Sequence, residues 1–252
     1  MIADPFFYLL AVPAVLLMGL SKGGFAGVGA LSLPLLVLAI GPVQAAAILL
    51  PLLIVQDVVG VWAFRRTLDG FVLAWMLPGA ALGIVGGYLF ASSVSAGAVM
   101  AAVGGISALF GGYRLAVERG AVARPAQSGL AGAGWVGTLV GVVSGWTSQI
   151  AHAGGPPFQL WVLPRRLPPP VLAGTTAVFF AVVNWLKVPA YWALGQFTAA
   201  NLLTAAALTP VAIASTFAGV WLVRRVDAAR FYTLIYVLMI VTGAKLVWDG
   251  VR

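Results

Sequence analysis

Two polar, glycine-bearing stretches interrupt an otherwise apolar chain: SKGGFAG at residues 21–27 and SGWTSQIAHAGG at residues 144–155. Each joins two short apolar segments, 5–20 to 25–40 in the first half and 129–145 to 150–163 in the second. Short, glycine-interrupted apolar segments at matching places in two halves indicate a binding site between membrane-embedded repeats. The two stretches therefore predict a duplicated membrane protein whose site lies where they meet.

The composition supports a membrane protein. The chain has 252 residues, of which 62% are hydrophobic and 8% are charged, whereas a soluble domain carries roughly 25% charged residues. This excludes a soluble enzyme and a nucleic-acid binder, and the net charge of +8 indicates membrane orientation instead. The chain has no cysteine, so zinc–thiolate and iron–sulfur sites are excluded and we expect no cofactor.

The apolar runs predict an all-α polytopic fold with about ten helical segments. Six segments are long enough to span a bilayer, which needs about 20 apolar residues: 43–63, 70–91, 95–116, 170–193, 198–223 and 228–249. The halves align with Gly19 on Gly141, Asp57 on Asn184 and Gly111 on Gly243. We therefore predict a first five-segment repeat at 1–118, a cytoplasmic linker at 119–128 and a second repeat at 129–252.

The arginines predict the orientation. Ten of the eleven lie in four connections, 65–66, 114–124, 165–166 and 224–230. The positive-inside rule makes these connections cytoplasmic. All four fall on one side if each short pair either crosses twice or turns back as a re-entrant hairpin, two alternatives that the sequence leaves open. An odd number of effective crossings per repeat then predicts inverted repeats, with both termini outside.

The two turns supply the candidate binding residues. Glycine N–H groups and a following helix N-terminus attract anions, and Lys22 adds a full positive charge. The predicted substrate-binding residues are Lys22, Gly23, Gly24, Ser148, Gln149, His152, Gly154, Gly155, Thr175, Thr176 and Asn184. Asp57, an intramembrane carboxylate, and His152 are the candidates for binding a coupling proton.

Each candidate has a structural alternative. Lys22 could extend to the cytoplasmic interface, as lysines near helix ends do. Asp57 could hold helices together, for example through an ion pair with Lys22, and the single histidine, His152, could be a satisfied core residue. For Thr175 and Thr176 we favour hydrogen bonds to their own helix. Lys187 and Lys245 lie near helix ends and are interpreted as interfacial anchors.

The sequence resembles the TauE/SafE family, the sulfite exporter or toluene-sulfonate uptake permease group. The resemblance rests on GLSKGGFAGVGALSLPLL at residues 19–36, SQIAHAGGPPFQLWVLPRRL at 148–167 and GTTAVFFAVVNWLKVPAYWALGQF at 174–197. It implies a cell inner membrane transporter whose partners are the lipid bilayer and a small sulfur-containing anion, such as sulfite, sulfoacetate or a related organosulfonate.

We therefore expect a secondary transporter of such an anion, with export favoured and with or without proton coupling. The alternatives are a channel-like uniporter driven by the membrane potential and a membrane assembly partner without transport activity. An embedded enzyme is disfavoured because the chain lacks paired acid and base groups and a metal cluster. No nucleic-acid partner is expected, and a homo-oligomer is compatible with the sequence.

Overall fold

The computed structural model describes residues 1–22, 29, 32–90, 95–121, 132–225 and 227–251. These residues form ten α-helices and no strand. The helices are α1 Pro5–Lys22, α2 Ser32–Val37, α3 Pro42–Phe64, α4 Gly70–Leu89, α5 Ala96–Glu118, α6 Gly134–Ala151, α7 Gly155–Val162, α8 Pro169–Ala193, α9 Ala199–Val223 and α10 Ala228–Val251. The predicted all-α class is confirmed, and ten described helices match ten predicted segments. The predicted linker at 119–128 lies mostly outside the described residues.

The long helices are suited to a bilayer. Five of the described helices, α1, α3, α4, α8 and α9, are long and apolar enough to cross a membrane. Large apolar side chains cover their outer surfaces, among them Leu82, Trp192 and Leu203, which are all more than half exposed. Such a surface cannot be solvated efficiently by water but is compatible with lipid. The fold is therefore that expected of a polytopic membrane protein.

The first helix of each short pair ends later than the sequence predicted, at Lys22 instead of residue 20 and at Ala151 instead of residue 145. α1 and α6 have 18 residues each, whereas α2 and α7 have six and eight. The prediction was wrong because polar residues at the turns were read as the ends of the helices. Thr147 instead continues α6 by donating to Val143 O, and the helix ends only at His152, whose φ of 52° is left-handed.

Both short pairs turn back to the side from which they start. Ile2 N donates to Thr204 Oγ1, and Gln44 Nε2 donates to Asn201 Oδ1, so α1, α3 and α9 all begin at one end of the bundle. At the other end, Thr138 Oγ1 donates to Trp75 O, so α4 and α6 begin together. α8 begins there too, because Asp69 N donates to Thr175 Oγ1. α2 and α7 have six and eight residues, too few to cross a hydrocarbon core of about 30 Å, so the described helices fit the re-entrant alternative rather than two crossings.

Corresponding helices of the two halves pack against each other in antiparallel pairs. α3 lies against α8, and α5 lies against α10. The backbones of α5 and α10 are in direct contact. A Cβ atom on Gly104 would lie 2.5 Å from Gly243 O, and one on Gly250 would lie 2.3 Å from Gly97 O. Glycine is required there because the close approach leaves no space for a side chain.

Candidate functional site

A cavity of about 100 Å³ lies between the two re-entrant pairs and α8. For comparison, an apolar cavity of roughly 150 Å³ can hold a benzene molecule. Its polar lining residues are Ser21, Lys22, Ser32, Ser148, His152, Gln159, Thr176, Asn184 and Lys187, and its apolar ones include Met18, Leu33, Leu49, Leu53, Phe158 and Phe180. The cavity therefore has room for a small solute and contacts both halves of the chain.

The carboxylate of Asp57 is bonded on both oxygens. Lys22 Nζ at the end of α1 forms an ion pair with Asp57 Oδ1 at 2.6 Å. Asn184 Nδ2 on α8 donates to Asp57 Oδ2 at 2.7 Å. The side chain of Asp57 is 1% exposed and that of Lys22 is 10% exposed. Lys22, Asp57 and Asn184 thus join α1, α3 and α8. The positive charge of Lys22 is balanced by the carboxylate of Asp57.

Lys187 carries a second positive charge into the cavity. It is 1% exposed, and its Nζ lies 3.3 Å from Ser148 Oγ and 3.5 Å from Ser148 O. Four ion pairs are found among the described residues, and Lys187 takes part in none of them. All six acidic residues of the chain are described, so no acidic side chain lies within ion-pair distance of this ammonium group.

His152 connects the turn of the second pair to α8. Its backbone N–H donates to Ser148 O at 3.2 Å, which closes the end of α6. The ring Nδ1 lies 3.5 Å from Tyr191 Oη. A hydroxyl that donates to Nδ1 leaves the ring proton on Nε2, and Nε2 is buried without a partner among the described atoms. His152 can therefore offer an N–H donor to a molecule in the cavity.

Gln159 on α7 is the second unsatisfied polar group at the cavity. It is 1% exposed, and neither its Oε1 nor its Nε2 has a hydrogen-bond partner within the described part of the chain. A buried side-chain amide without partners costs about 1–3 kcal/mol. Because the residue also lines the cavity, a polar molecule held there would satisfy it.

One face of α8 supplies a row of mostly polar side chains along the cavity. Thr176, Phe180, Asn184, Lys187 and Tyr191 follow each other at intervals of three or four residues, which places them on one side of the helix. The Phe180 ring centre lies 5.2 Å from Lys22 Nζ, and Asn184 donates to Asp57. The last residue of the row, Tyr191, lies beside His152. α8 therefore connects the two re-entrant turns.

The structure brings most of the predicted binding residues together. Lys22, Ser148, His152, Gly155, Thr176 and Asn184 line the cavity. Gly154 is behind the turn, where its carbonyl accepts a bond from Ser144 Oγ at 2.7 Å. Thr175 bonds to Val171 O and to Asp69 N and is not a lining residue. Gln149 packs against Gly87 and is not a lining residue either. Gly23 and Gly24 lie outside the described residues.

Two details differ from the expected chemistry of the turns. The N-terminus of α7 has few donors, because Pro156 and Pro157 lack an N–H group and Phe158 N is bonded to Gly154 O. Side chains, rather than a row of glycine amides, therefore line this side of the cavity. Thr176 does bond to its own helix, through Leu172 O at 2.7 Å, as the alternative interpretation of the threonines expects.

Sequence reasoning missed Lys187 and Gln159. Lys187 was interpreted as an interfacial anchor, and its burial shows that interpretation to be wrong. The spacing of three residues from Asn184 was the available signal, since it places both side chains on one face. Nothing in the apolar stretch around Gln159 distinguishes it from a packing residue. Lys245, by contrast, pairs with Asp249 near the end of α10, in a partly exposed position.

Comparison with known proteins gives one match. A family model described as "Sulfite exporter TauE/SafE" matches residues 11–246, nearly the whole chain. No curated protein and no solved structure matches the chain. The matched region includes the second re-entrant pair, most of the first pair and every residue that lines the cavity.

Proposed function

The chain belongs to the sulfite exporter TauE/SafE family of membrane transporters, and from this premise we propose that it carries a small sulfur-containing anion across the cell inner membrane. The substrate class comprises sulfite, sulfoacetate and related organosulfonates. The cavity between the re-entrant pairs is the transport site, and export is the favoured direction. Asp57 and His152 are the groups that would bind a coupling proton.

The observation that carries this proposal is the buried ammonium group of Lys187. An unpaired charge within the membrane costs several kcal/mol, and a buried cation is stable only when an anion or several strong acceptors compensate it. Among the described residues, Nζ has hydrogen-bond partners only in the two oxygens of Ser148. An anion in the cavity would supply the missing negative charge, which is a reason to place the substrate there.

The neighbours of Lys187 suit a sulfur oxyanion. Ser148 Oγ, His152 Nε2 and Gln159 Nε2 can all donate hydrogen bonds, and a sulfonate or sulfite head group accepts them on three oxygens. The apolar side of the cavity, with Leu33, Leu49 and Phe158, can contact the carbon atoms of an organosulfonate. Charge and shape thus both favour an anion with a polar head and a small apolar body.

Two inverted repeats offer a route to alternating access. The contacts between the halves support this: aligned residues Gly111 and Gly243 approach Tyr236 O and Gly104 O, which are themselves aligned. Such an exchange of equivalent contacts is expected of a two-fold relation in the membrane plane. The repeats, at 1–118 and 129–252, would rock against each other around the cavity.

The arginine connections support an orientation with outside termini. Arg224 Nη2 donates to Ala63 O, Arg165 stacks on Phe71, and Arg166 pairs with Glu118. These contacts link the four connections at one end of the bundle, which the positive-inside rule makes cytoplasmic. An anion leaving the cell then gains about 2.3 kcal/mol per charge per 100 mV.

The experiment is anion flux in liposomes that contain the purified protein. We expect release of labelled sulfite or sulfoacetate from wild-type liposomes and loss of that release in Lys187→Met. Lys245→Met is the matched control, because it removes a lysine paired with Asp249 away from the cavity, and it should retain the wild-type rate. Absence of wild-type flux for both anions would contradict the proposed function. Flux that follows only the membrane potential would favour a uniporter over a coupled carrier.

A further inference from the structure

The net charge of the ionisable side chains around the cavity can be counted from the described residues, and it is called the sum of charge below. Lys22 and Lys187 are each counted with one positive charge and Asp57 with one negative charge, and His152 is counted as neutral, the form in which Nδ1 accepts from Tyr191 Oη. The helices that pack against α3 are α1, α2, α8 and α9. Within the described residues, α2 and α9 carry no ionisable side chain, and α8 adds only Lys187 and Tyr191. The sum is one positive charge.

A sum of one positive charge is balanced by a single negative charge. In a site shielded from water, an unbalanced charge interacts far more strongly than it does in solution. A monovalent anion beside Lys187 leaves the cavity neutral. A divalent anion leaves one negative charge in excess, and that excess must be removed by a proton.

Asp57 is placed to take this proton. Its carboxylate is bonded to Lys22, which also lines the cavity. Protonation of the carboxylate removes the partner of Lys22 Nζ and leaves this ammonium group free to turn towards the anion. The proton thus changes the sum of charge from +1 to +2. The ammonium group of Lys22 then becomes available to balance the second negative charge of the anion.

We propose that the Lys22–Asp57 pair sets the charge rule of the site: a monovalent anion binds without a proton, and a divalent anion binds together with one proton on Asp57. This proposal rests on the proposed anion site. It assigns Asp57 to charge selection and Lys187 to the attraction of the anion.

The test uses methanesulfonate and sulfate, which are similar in size and carry one and two negative charges in neutral solution. Binding to the detergent-purified protein is measured by calorimetry in two buffers that differ in ionisation enthalpy, so that proton uptake is counted. We expect methanesulfonate to bind with no proton and sulfate to bind with one. The affinity for sulfate should rise on acidification by up to about tenfold per pH unit, while that for methanesulfonate stays constant.

Two variants distinguish the effect of the net charge from the effect of losing the Lys22–Asp57 ion pair. Asp57→Asn fixes the sum of charge at +2. The affinity for sulfate relative to methanesulfonate should therefore rise by about tenfold or more, without proton uptake. The double variant Lys22→Met with Asp57→Asn returns the sum to one, so methanesulfonate should again be preferred, still without proton uptake. The wild-type measurement needs no variant, so the rule can be refuted even if Asp57→Asn does not fold.

The rule is wrong if wild-type protein binds sulfate as tightly as methanesulfonate with no proton uptake, or if folded Asp57→Asn keeps the wild-type preference. A protein that carries sulfite yet binds neither probe, or binds both alike without proton uptake, contradicts this inference alone. Failure of the proposed function would be recognised separately, by the absence of sulfite and sulfoacetate flux.

Discussion

Asn184 Nδ2 donates a hydrogen bond to Asp57 Oδ2 over 2.7 Å, at the crossing of α8 with α3. The two residues also occupy the same position when the halves of the sequence are aligned. The first half of the chain therefore contributes the carboxylate, and the second half contributes its amide donor. Together with Lys22, the amide leaves neither carboxylate oxygen of Asp57 without a partner.

Replacing Asn184 tests how much this bond stabilises the fold. In Asn184→Leu one carboxylate oxygen loses its donor, and an unsatisfied buried acceptor costs roughly 1–3 kcal/mol. We expect the free energy of unfolding in detergent, measured by chemical denaturation, to fall by that amount. Thr209→Val is the control, because Thr209 bonds only within its own helix, to Ala205 O, and its loss should cost little. Equal stability of the two variants would contradict a structural role for Asn184.

The ion pair between Lys22 and Asp57 should appear as coupling in a double-mutant cycle. Removing one partner of a buried pair costs about 3–5 kcal/mol, because the other charge stays uncompensated. We expect Lys22→Met and Asp57→Asn each to lose about that much unfolding free energy and the double variant to lose clearly less than their sum. Additive losses would mean that the two groups do not interact.

Replacing Lys187 should raise the stability of the protein, whereas replacing Lys22 or Asp57 should lower it. Its buried charge has no carboxylate partner, so Lys187→Met removes an unfavourable charge and keeps most of the side-chain volume. We expect a higher melting temperature than wild type in buffer without a suitable anion. Functional residues commonly carry such a cost in stability.

The same variant should lose stabilisation by the substrate. A ligand present at 100 times its Kd stabilises the folded state by about 2.7 kcal/mol, so methanesulfonate should raise the melting temperature of wild-type protein and leave that of Lys187→Met unchanged. A ligand-dependent rise in the variant, equal to that of wild type, would show that the anion binds elsewhere.

The glycine contact between α5 and α10 offers a matched pair of substitutions. A Cβ on Gly104 would meet Gly243 O at 2.5 Å, whereas a Cβ on the next residue, Gly105, would meet nothing within 4 Å. We expect Gly104→Val to lose about 1–3 kcal/mol of unfolding free energy through overpacking. Gly105→Val should stay within about 0.5 kcal/mol of wild type. If both variants are equally stable, the helices are not in backbone contact.

Much of the fold could be predicted from the sequence because lipid imposes a simple rule. Backbone polar groups in the bilayer must be satisfied within helices, so apolar runs between charges and glycines correspond closely to the helices. The ends of α1 and α6 were predicted less well. Ser21, Thr147 and Ser148 are polar but compatible with a helix, and only the turn geometry decides where each helix ends.

The candidate site could be predicted in part, for a different reason. Lys22, Ser148, His152 and Asn184 stand out as polar residues in apolar surroundings, and all line the cavity. Their charge balance could not be predicted, because it depends on which lysine reaches Asp57. The structure pairs Lys22 with that carboxylate and leaves Lys187 without one, so the lysine that lacks an acidic partner is not the one at the glycine turn.

The last prediction concerns topology and uses the absence of cysteine in the chain. α3 has 23 residues and is about 34 Å long, enough to cross a hydrocarbon core of about 30 Å. Gly41 and Arg66 are exposed near its two ends. In intact cells a membrane-impermeant maleimide should therefore modify Gly41→Cys and not Arg66→Cys. Asp4→Cys should be labelled like Gly41→Cys, because α1 and α2 return to the side from which α1 starts. Labelling of Arg66→Cys in intact cells would mean that the orientation is the reverse of the predicted one. Opposite results for Asp4→Cys and Gly41→Cys would mean that the first pair crosses the membrane once.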